Sequence, residues 1–222
     1  MNSRVTVVID TTSSYSILAI LRDKEVLYTQ IVTEPKTLLR QIGLFSLQAS
    51  AEISRVEGTE AEIVLCIGPS GFSGGRIGVT TGRSLALGWG ISVMPFDHLG
   101  MISKVIEEEI SHDIVIEDAK GGEVHFYDAR SHAKISTTVN CDRAKYLIGD
   151  LDKVVVVGDL PQGLEDTFSG NVELLDVAAL PIEAKLSTFV ESIRPLGKVS
   201  PQNIQIRYGR DYIAVANFER LR

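Results

Sequence analysis

The chain has 222 residues, 44% of them hydrophobic and 23% charged, with a formal net charge of −7. That balance suits a globular chain with a buried core, in one large domain or two small ones, and it excludes disorder. Cys66 and Cys141 lie far apart in sequence and read as reduced thiols rather than a disulfide scaffold. The longest uncharged stretches, 63–75 and 84–96, are too short and too rich in glycine to span a bilayer. The opening Met1-Asn2-Ser3-Arg4 shows no leader pattern, so a cytoplasmic protein is expected.

Residues 5–9 are a β-branched apolar run that ends at the turn signal Asp10-Thr11-Thr12-Ser13-Ser14. Residues 15–21 and 25–33 read as two more strands. Their short links make the three an antiparallel meander, because parallel neighbours need long crossovers. Pro35 can open a helix, and Leu38, Leu39, Ile42, Phe45 and Ala49 continue one at helical spacing through residues 36–55. Residues 62–67 form a continuous apolar run, as expected of a strand buried on both faces. A helix over 74–90, a strand over 91–96 and a helix over 99–109 follow.

The second half is less regular. Strands are expected over 113–117, 123–130, 134–139 and 154–157, and a helix over 178–193. No repeat of fixed period is visible. The whole reads as an α/β chain with mixed sheets in two lobes, 1–98 and 99–222, the second reduced, with a hinge near 97–100. This order matches the actin-like, Hsp70 ATPase (ASKHA) group of folds.

Charge is uneven along the chain. From Arg194 onward, six basic residues face two acids, so the tail is +4 and the body −11. An acidic body repels phosphates and argues against direct, non-specific nucleic-acid binding. The tail itself reads either as a solvated end or as a docking strip for an acidic partner or RNA.

The segment from Gly68 to Gly90 holds eight of the nineteen glycines. Each costs a helix about 1 kcal/mol against alanine, so something must compensate. Gly74, Gly78 and Gly82 recur at steps of four and trace a bare stripe on one helix face. Two readings stand: the stripe packs inside its own lobe, or it is an assembly face for a second chain. The spacing fails the Walker phosphate-loop pattern, because only three residues separate Gly78 from Gly82 and Arg83 replaces lysine.

Metal and triad chemistry are thin. His98, His112, His125 and His132 form no i, i+4 pair and have no cysteine at ligand spacing. The acids around Lys120-Gly121-Gly122 suit a hairpin turn. No catalytic constellation, metal site or cofactor is expected.

Two segments resemble a known family. Val8-Ile9-Asp10-Thr11-Thr12-Ser13, followed by Ser16-Ile17-Leu18-Ala19-Ile20, resembles the I-D-T-S/T opening of the bacterial TsaB (YeaZ-like) family. Gly68-Pro69-Ser70-Gly71-Phe72-Ser73-Gly74-Gly75-Arg76-Ile77-Gly78 resembles its G-P-G-S-F-T-G-x-R-I-G signature, with Ser70-Gly71 inverted and Ser73 for threonine. Asp118-Ala119 and Gly122-Glu123-Val124 are similar to its D-A-R-x-G-E-V hairpin.

The resemblance implies a two-lobed actin-like fold and an accessory, non-catalytic role in making threonylcarbamoyladenosine on tRNA. The family's partners would be a TsaD-type catalytic subunit, which carries the metal-binding histidines, and a TsaE-type ATPase, with tRNA met mainly through the complex. A homodimer is the other assembly open to an isolated chain. Partner contacts are expected at Lys36, Thr37, Leu39, Arg40, Phe72, Gly74, Arg76, Gly78 and Gly82. Asp10, Thr11 and Thr12 would be a vestigial nucleotide site. The rival reading is a small ATP-using carbamoyl- or phosphoryl-transferase of the actin-like group, with Asp10 near magnesium.

Overall fold

The computed structural model describes residues 3–55, 60–131, 135–150, 152–168, 171–176, 179–180 and 182–208. Strands β1 (Arg4–Asp10), β2 (Ser16–Arg22) and β3 (Glu25–Val32) pair antiparallel through short turns, as their spacing predicts. On the other side of β1, β4 (Glu60–Gly68) and β5 (Val93–Asp97) join in parallel. Each parallel step needs a crossover, which α1 (Leu38–Ser54) and α2 (Phe72–Trp89) supply. Helix α3 (His98–Ile106) then leads out of the first lobe, capped by Asp97, whose Oδ1 accepts from the Gly100 amide at 3.0 Å.

The second lobe contains β6 (Ile114–Lys120), β7 (Glu123–Asp128), β8 (Thr137–Asn140), α4 (Cys141–Leu147), β9 (Val154–Val157), β10 (Val172–Leu175) and α5 (Ile182–Ile193). Its sheet order, β10-β9-β6-β7-β8, reproduces β5-β4-β1-β2-β3 of the first. Antiparallel and parallel neighbours fall in the same places. The two mixed sheets make this a two-lobed, actin-like α/β fold. The reduction in the second lobe lies in its helices: α4 has seven residues, and no helix stands between β9 and β10 among the described residues. Strand β10 and helix α4 do not appear in the sequence-based expectation. No helix among the described residues is long and apolar enough to cross a membrane.

Period-2 alternation sorts the strands into layers. Val5, Val7, Ile9, Ile63 and Leu65 face outward onto α1 and α2, while Val8, Val64 and Cys66 face the middle of the molecule. There they meet α3, α5 and the inner face of the second sheet, including Val115 and Val157. Ile114, Ile116 and Val154 form a third core around Ala144 of α4. Helices α3 and α5 are therefore shared between the lobes.

After α5 the chain turns back onto the first lobe. Val199 exchanges backbone hydrogen bonds with Val93 at the edge of β5, and Ile204 is buried in the outer core of the first sheet. A boundary at 98/99 thus misplaces residues 199–208, which belong to the first lobe. The three basic residues of the tail that are described are each engaged in an ion pair. Arg194 and Lys198 each reach the buried carboxylate of Glu62 at 2.8 Å, and Arg207 pairs with Asp97 at 2.9 Å. Arg210, Arg220 and Arg222 lie outside the described residues.

Candidate functional site

The inner-face parity of the parallel strands brings Asp10 at the end of β1, Cys66 near the end of β4 and Glu117 in β6 toward one point. The first residue of α3, His98, completes the group. All four are buried, Asp10, Cys66 and His98 to within 1% of completely. His98 Nδ1 lies 2.6 Å from Asp10 Oδ2, and its Nε2 lies 2.9 Å from the Tyr15 hydroxyl and 3.9 Å from Glu117 Oε2. The other Asp10 oxygen accepts from the Thr12 amide at 3.0 Å and the Thr12 hydroxyl at 2.7 Å. That leaves Thr12 Oγ1, 3.3 Å from Cys66 Sγ, to accept from the thiol. Ser13 donates to Glu117 and closes the group toward solvent.

Burial acts on every member, but their charges decide the outcome. Burial pushes the His98 imidazole down, yet Asp10 and then Glu117 outweigh it and lift the pKa to about 9. Burial also raises the Asp10 carboxyl, but the His98 charge and its hydrogen bonds prevail and hold it below the usual range. Glu117 is raised by burial, and Cys66 and Tyr15 are pushed well up for the same reason. These shifts favour an Asp10–His98 ion pair beside a neutral thiol and phenol at neutral pH. Each polar side chain of the group is engaged by another member, and Ser13 is the one member that is only half-buried.

The predicted residues divide between two places. Asp10, Thr11 and Thr12 are together at the end of β1, but Thr11 is fastened to α2 by a 2.7 Å hydrogen bond to the Gly74 carbonyl. A Cβ on Gly74 or Gly78 would overlap Thr11, and one on Gly82 would come within 2.8 Å of Leu65. The glycine stripe therefore faces β1 and β4 of its own lobe, and of its two readings internal packing is the one realised. Its compensation is the close approach of α2 to the sheet.

Lys36 and Thr37 stand in a 3-10 turn before α1, and Leu39 and Arg40 are exposed on the helix itself. Arg76 donates to the Tyr208 hydroxyl at 3.0 Å. The side chain of Phe72 and all of His132 lie outside the described residues. His112 bonds Ser103 and the Ile110 carbonyl, and His125 bonds Thr138, so both serve local structure.

The signature turn is covered by the returning chain. Arg207 donates its amide to the Ile67 carbonyl at 2.6 Å. Gly68, at φ 130°, leaves room for the Arg207 carbonyl where a side chain would collide. The Arg207 guanidinium then bridges Asp97 of the first lobe and the Ser136 carbonyl ahead of β8.

Sequence reasoning flagged Asp10 but missed Cys66, His98 and Glu117. Their signal is positional: each sits at or near the C-terminal end of an inward-facing strand, or just beyond one.

No family model matches the chain, and no curated protein matches it significantly. Solved structures do. A protein from Pseudomonas aeruginosa described as uncharacterized, with similarity to peptidase YeaZ, superposes with a TM-score of 0.64 at 18% identity, covering 95% of this chain and 100% of that one. YeaZ from Pseudomonas aeruginosa gives the same score and identity over 94% and 100%. At this identity the likeness establishes a YeaZ-like fold and nothing finer. A Ppx/GppA enzyme from Aquifex aeolicus reaches only 0.34 over 71% of this chain and carries no argument.

Proposed function

We propose that this chain is a TsaB-type accessory subunit that pairs with a TsaD-type catalytic subunit in transferring threonylcarbamoyl to adenosine of tRNA. The signature at 68–78 and the YeaZ-like fold support the family. The observation that carries an assembly role is the outer face of α1. Leu39 and Leu47 are 68% and 70% exposed, Leu44 is 49% exposed, and nothing lies within 4 Å of where a Gly43 Cβ would be. Positions 39, 43 and 47 align at steps of four, so a second helix could lie close along them. Soluble chains rarely leave such a face bare unless it meets a partner. Lys36 and Arg40 are the polar rim of this face, replacing the glycine stripe as the contact region.

The rival reading as an ATP-using transferase has less support. Thr11 is committed to α2, and Asp10 already holds His98. Glu117 closes over Ser13 and adds a second carboxyl where phosphates would have to sit. In the accessory reading a TsaE-type ATPase joins the pair, and tRNA is held mainly by the complex.

The test is a double variant, Leu39→Glu with Leu47→Glu, sedimented with the catalytic subunit. Removing a central apolar side chain from an interface costs about 1 kcal/mol or more, and here two are removed. Affinity should therefore fall well beyond tenfold while the melting temperature stays near wild type. Undiminished pairing by the folded variant would overturn the assignment of this face.

A further inference from the structure

We propose that Asp10, Cys66 and His98 form a binding site for one divalent metal ion of the zinc class. This rests on the arrangement of side chains alone and is independent of the assembly reading.

Carboxylate, thiol and imidazole atoms from β1, β4 and α3 lie within 4.8 Å of one another. Two of the three donors already have their free atom directed. Asp10 Oδ1 is held by the Thr12 amide and hydroxyl, which leaves Oδ2 for a ligand. His98 Nε2 faces the Tyr15 hydroxyl and Glu117, which leaves Nδ1. A hydroxyl or carboxylate behind the second ring nitrogen is the outer support that metal-bound histidines usually have. Thiolate and imidazole together favour zinc over magnesium or calcium.

Charge makes the exchange feasible in a buried place. With Asp10 and His98 sharing the two protons of the imidazolium form across their hydrogen bond and ring, and Cys66 hydrogen-bonded as a thiol, the group sums to zero. A divalent ion would displace one proton from His98 Nδ1 and one from Cys66 Sγ. The result, M²⁺ with one carboxylate, one thiolate and a neutral imidazole, again sums to zero. The ion replaces two protons without adding net buried charge. Tetrahedral zinc separates its oxygen and nitrogen ligands by roughly 3.3 Å, so the 2.6 Å Asp10–His98 contact must open by well under one bond length. Ser13, half-buried and bonded to Glu117, is the member of the group nearest solvent.

The experiment uses the full chain, stripped with a chelator and titrated with Co²⁺. One equivalent should bind, giving a thiolate-to-cobalt charge-transfer band and tetrahedral visible bands. Zn²⁺ should displace the cobalt, and a large excess of Mg²⁺ should not. Cys66→Ser should abolish the charge-transfer band, and Cys141→Ser should leave it intact. Glu117→Gln, which touches the support rather than the ion, should weaken zinc binding about tenfold. X-ray absorption on zinc-loaded wild type needs no variant and should show one sulfur at about 2.3 Å among nitrogen and oxygen ligands. A folded wild-type chain that gives no cobalt spectrum would overturn the proposal. So would a charge-transfer band that survives Cys66→Ser, or a zinc shell without sulfur.

Discussion

The two lobes repeat one sheet topology and differ in what covers it. In both, a three-stranded meander is extended by two parallel strands on the side of its first strand. The first sheet carries α1 and α2, seventeen and eighteen residues long, on its outer face; among the described residues the second carries only the seven-residue α4 there. The first lobe's two helices also differ from each other. Helix α2 is drawn onto the sheet by Gly74, Gly78 and Gly82. It turns outward mostly polar or small residues, Ser73, Arg76, Thr80, Ser84 and Gly88, with Leu87 half exposed. Helix α1 instead buries Leu38, Ile42, Phe45 and Ala49 and turns Leu39, Leu44 and Leu47 outward. The strand order therefore does not decide which surface is available for binding. Which residues each crossover helix turns outward does.

Three experiments can break or sharpen this contrast. The largest effect should come from Gly78→Leu. The site has no room even for a Cβ beside Thr11, so overpacking should cost about 3 kcal/mol or more and lower the melting temperature steeply, before any partner is added. A variant that melts like wild type would show that α2 is not seated as described.

Next, Arg194→Met removes one of the two cations on Glu62, a carboxylate sealed under the first sheet, and should cost about 3 kcal/mol in chemical denaturation. Burial alone would raise Glu62, but Lys198, Thr6 and Arg194 overcome it and hold the carboxyl below its ordinary value. A lowered folded pKa contributes stability that is present above the unfolded value, near 4.5, and is lost as pH falls through the folded one. The gap between wild type and Arg194→Met should therefore narrow on acidification. A gap that is constant down to acid pH would separate the loss from the ion pair.

The smallest effect has the opposite sign. Gly43→Ala on the open face of α1 meets nothing within 4 Å and should stabilise the chain by about 1 kcal/mol, read as a small rise in melting temperature. If alanine at position 43 also weakened complex formation, the glycine would be marked as a point of close helix approach.

Most of the first lobe was legible because its signals are local. Apolar runs, short turns and helical spacing place β1 through α3 in order, and the glycine-rich α2 still reads as a helix. The second lobe was less so. Helix α4 is two turns long, begun by Asn140, whose side chain accepts from the Arg143 amide at 2.7 Å. Strand β10 has four residues and an exposed Leu174. Neither is long enough to establish a period. The duplication of the sheets is a property of pairing and leaves no sequence repeat.

The buried group around His98 was hidden for a related reason. A search for histidines one helical turn apart cannot find a histidine whose partners sit on separate strands. The basic tail misled in another way: composition revealed its charge, but not that Glu62 and Asp97 take up Arg194, Lys198 and Arg207.

The return of residues 199–208 to the first lobe sets the timetable on which a nascent chain can fold. The ribosome releases β1 to β5 first, and N-terminal units generally fold as they emerge. Here Glu62 gains its two ion-pair partners only when Arg194 and Lys198 are out, and the outer core lacks Ile204 until the chain returns. The first lobe is begun early and completed last, so the two lobes must mature together. A fragment ending after α3 would lack both ion-pair partners of Glu62 and the cover that Ile204 gives the outer core, so it should be markedly less stable than the same residues in the full chain.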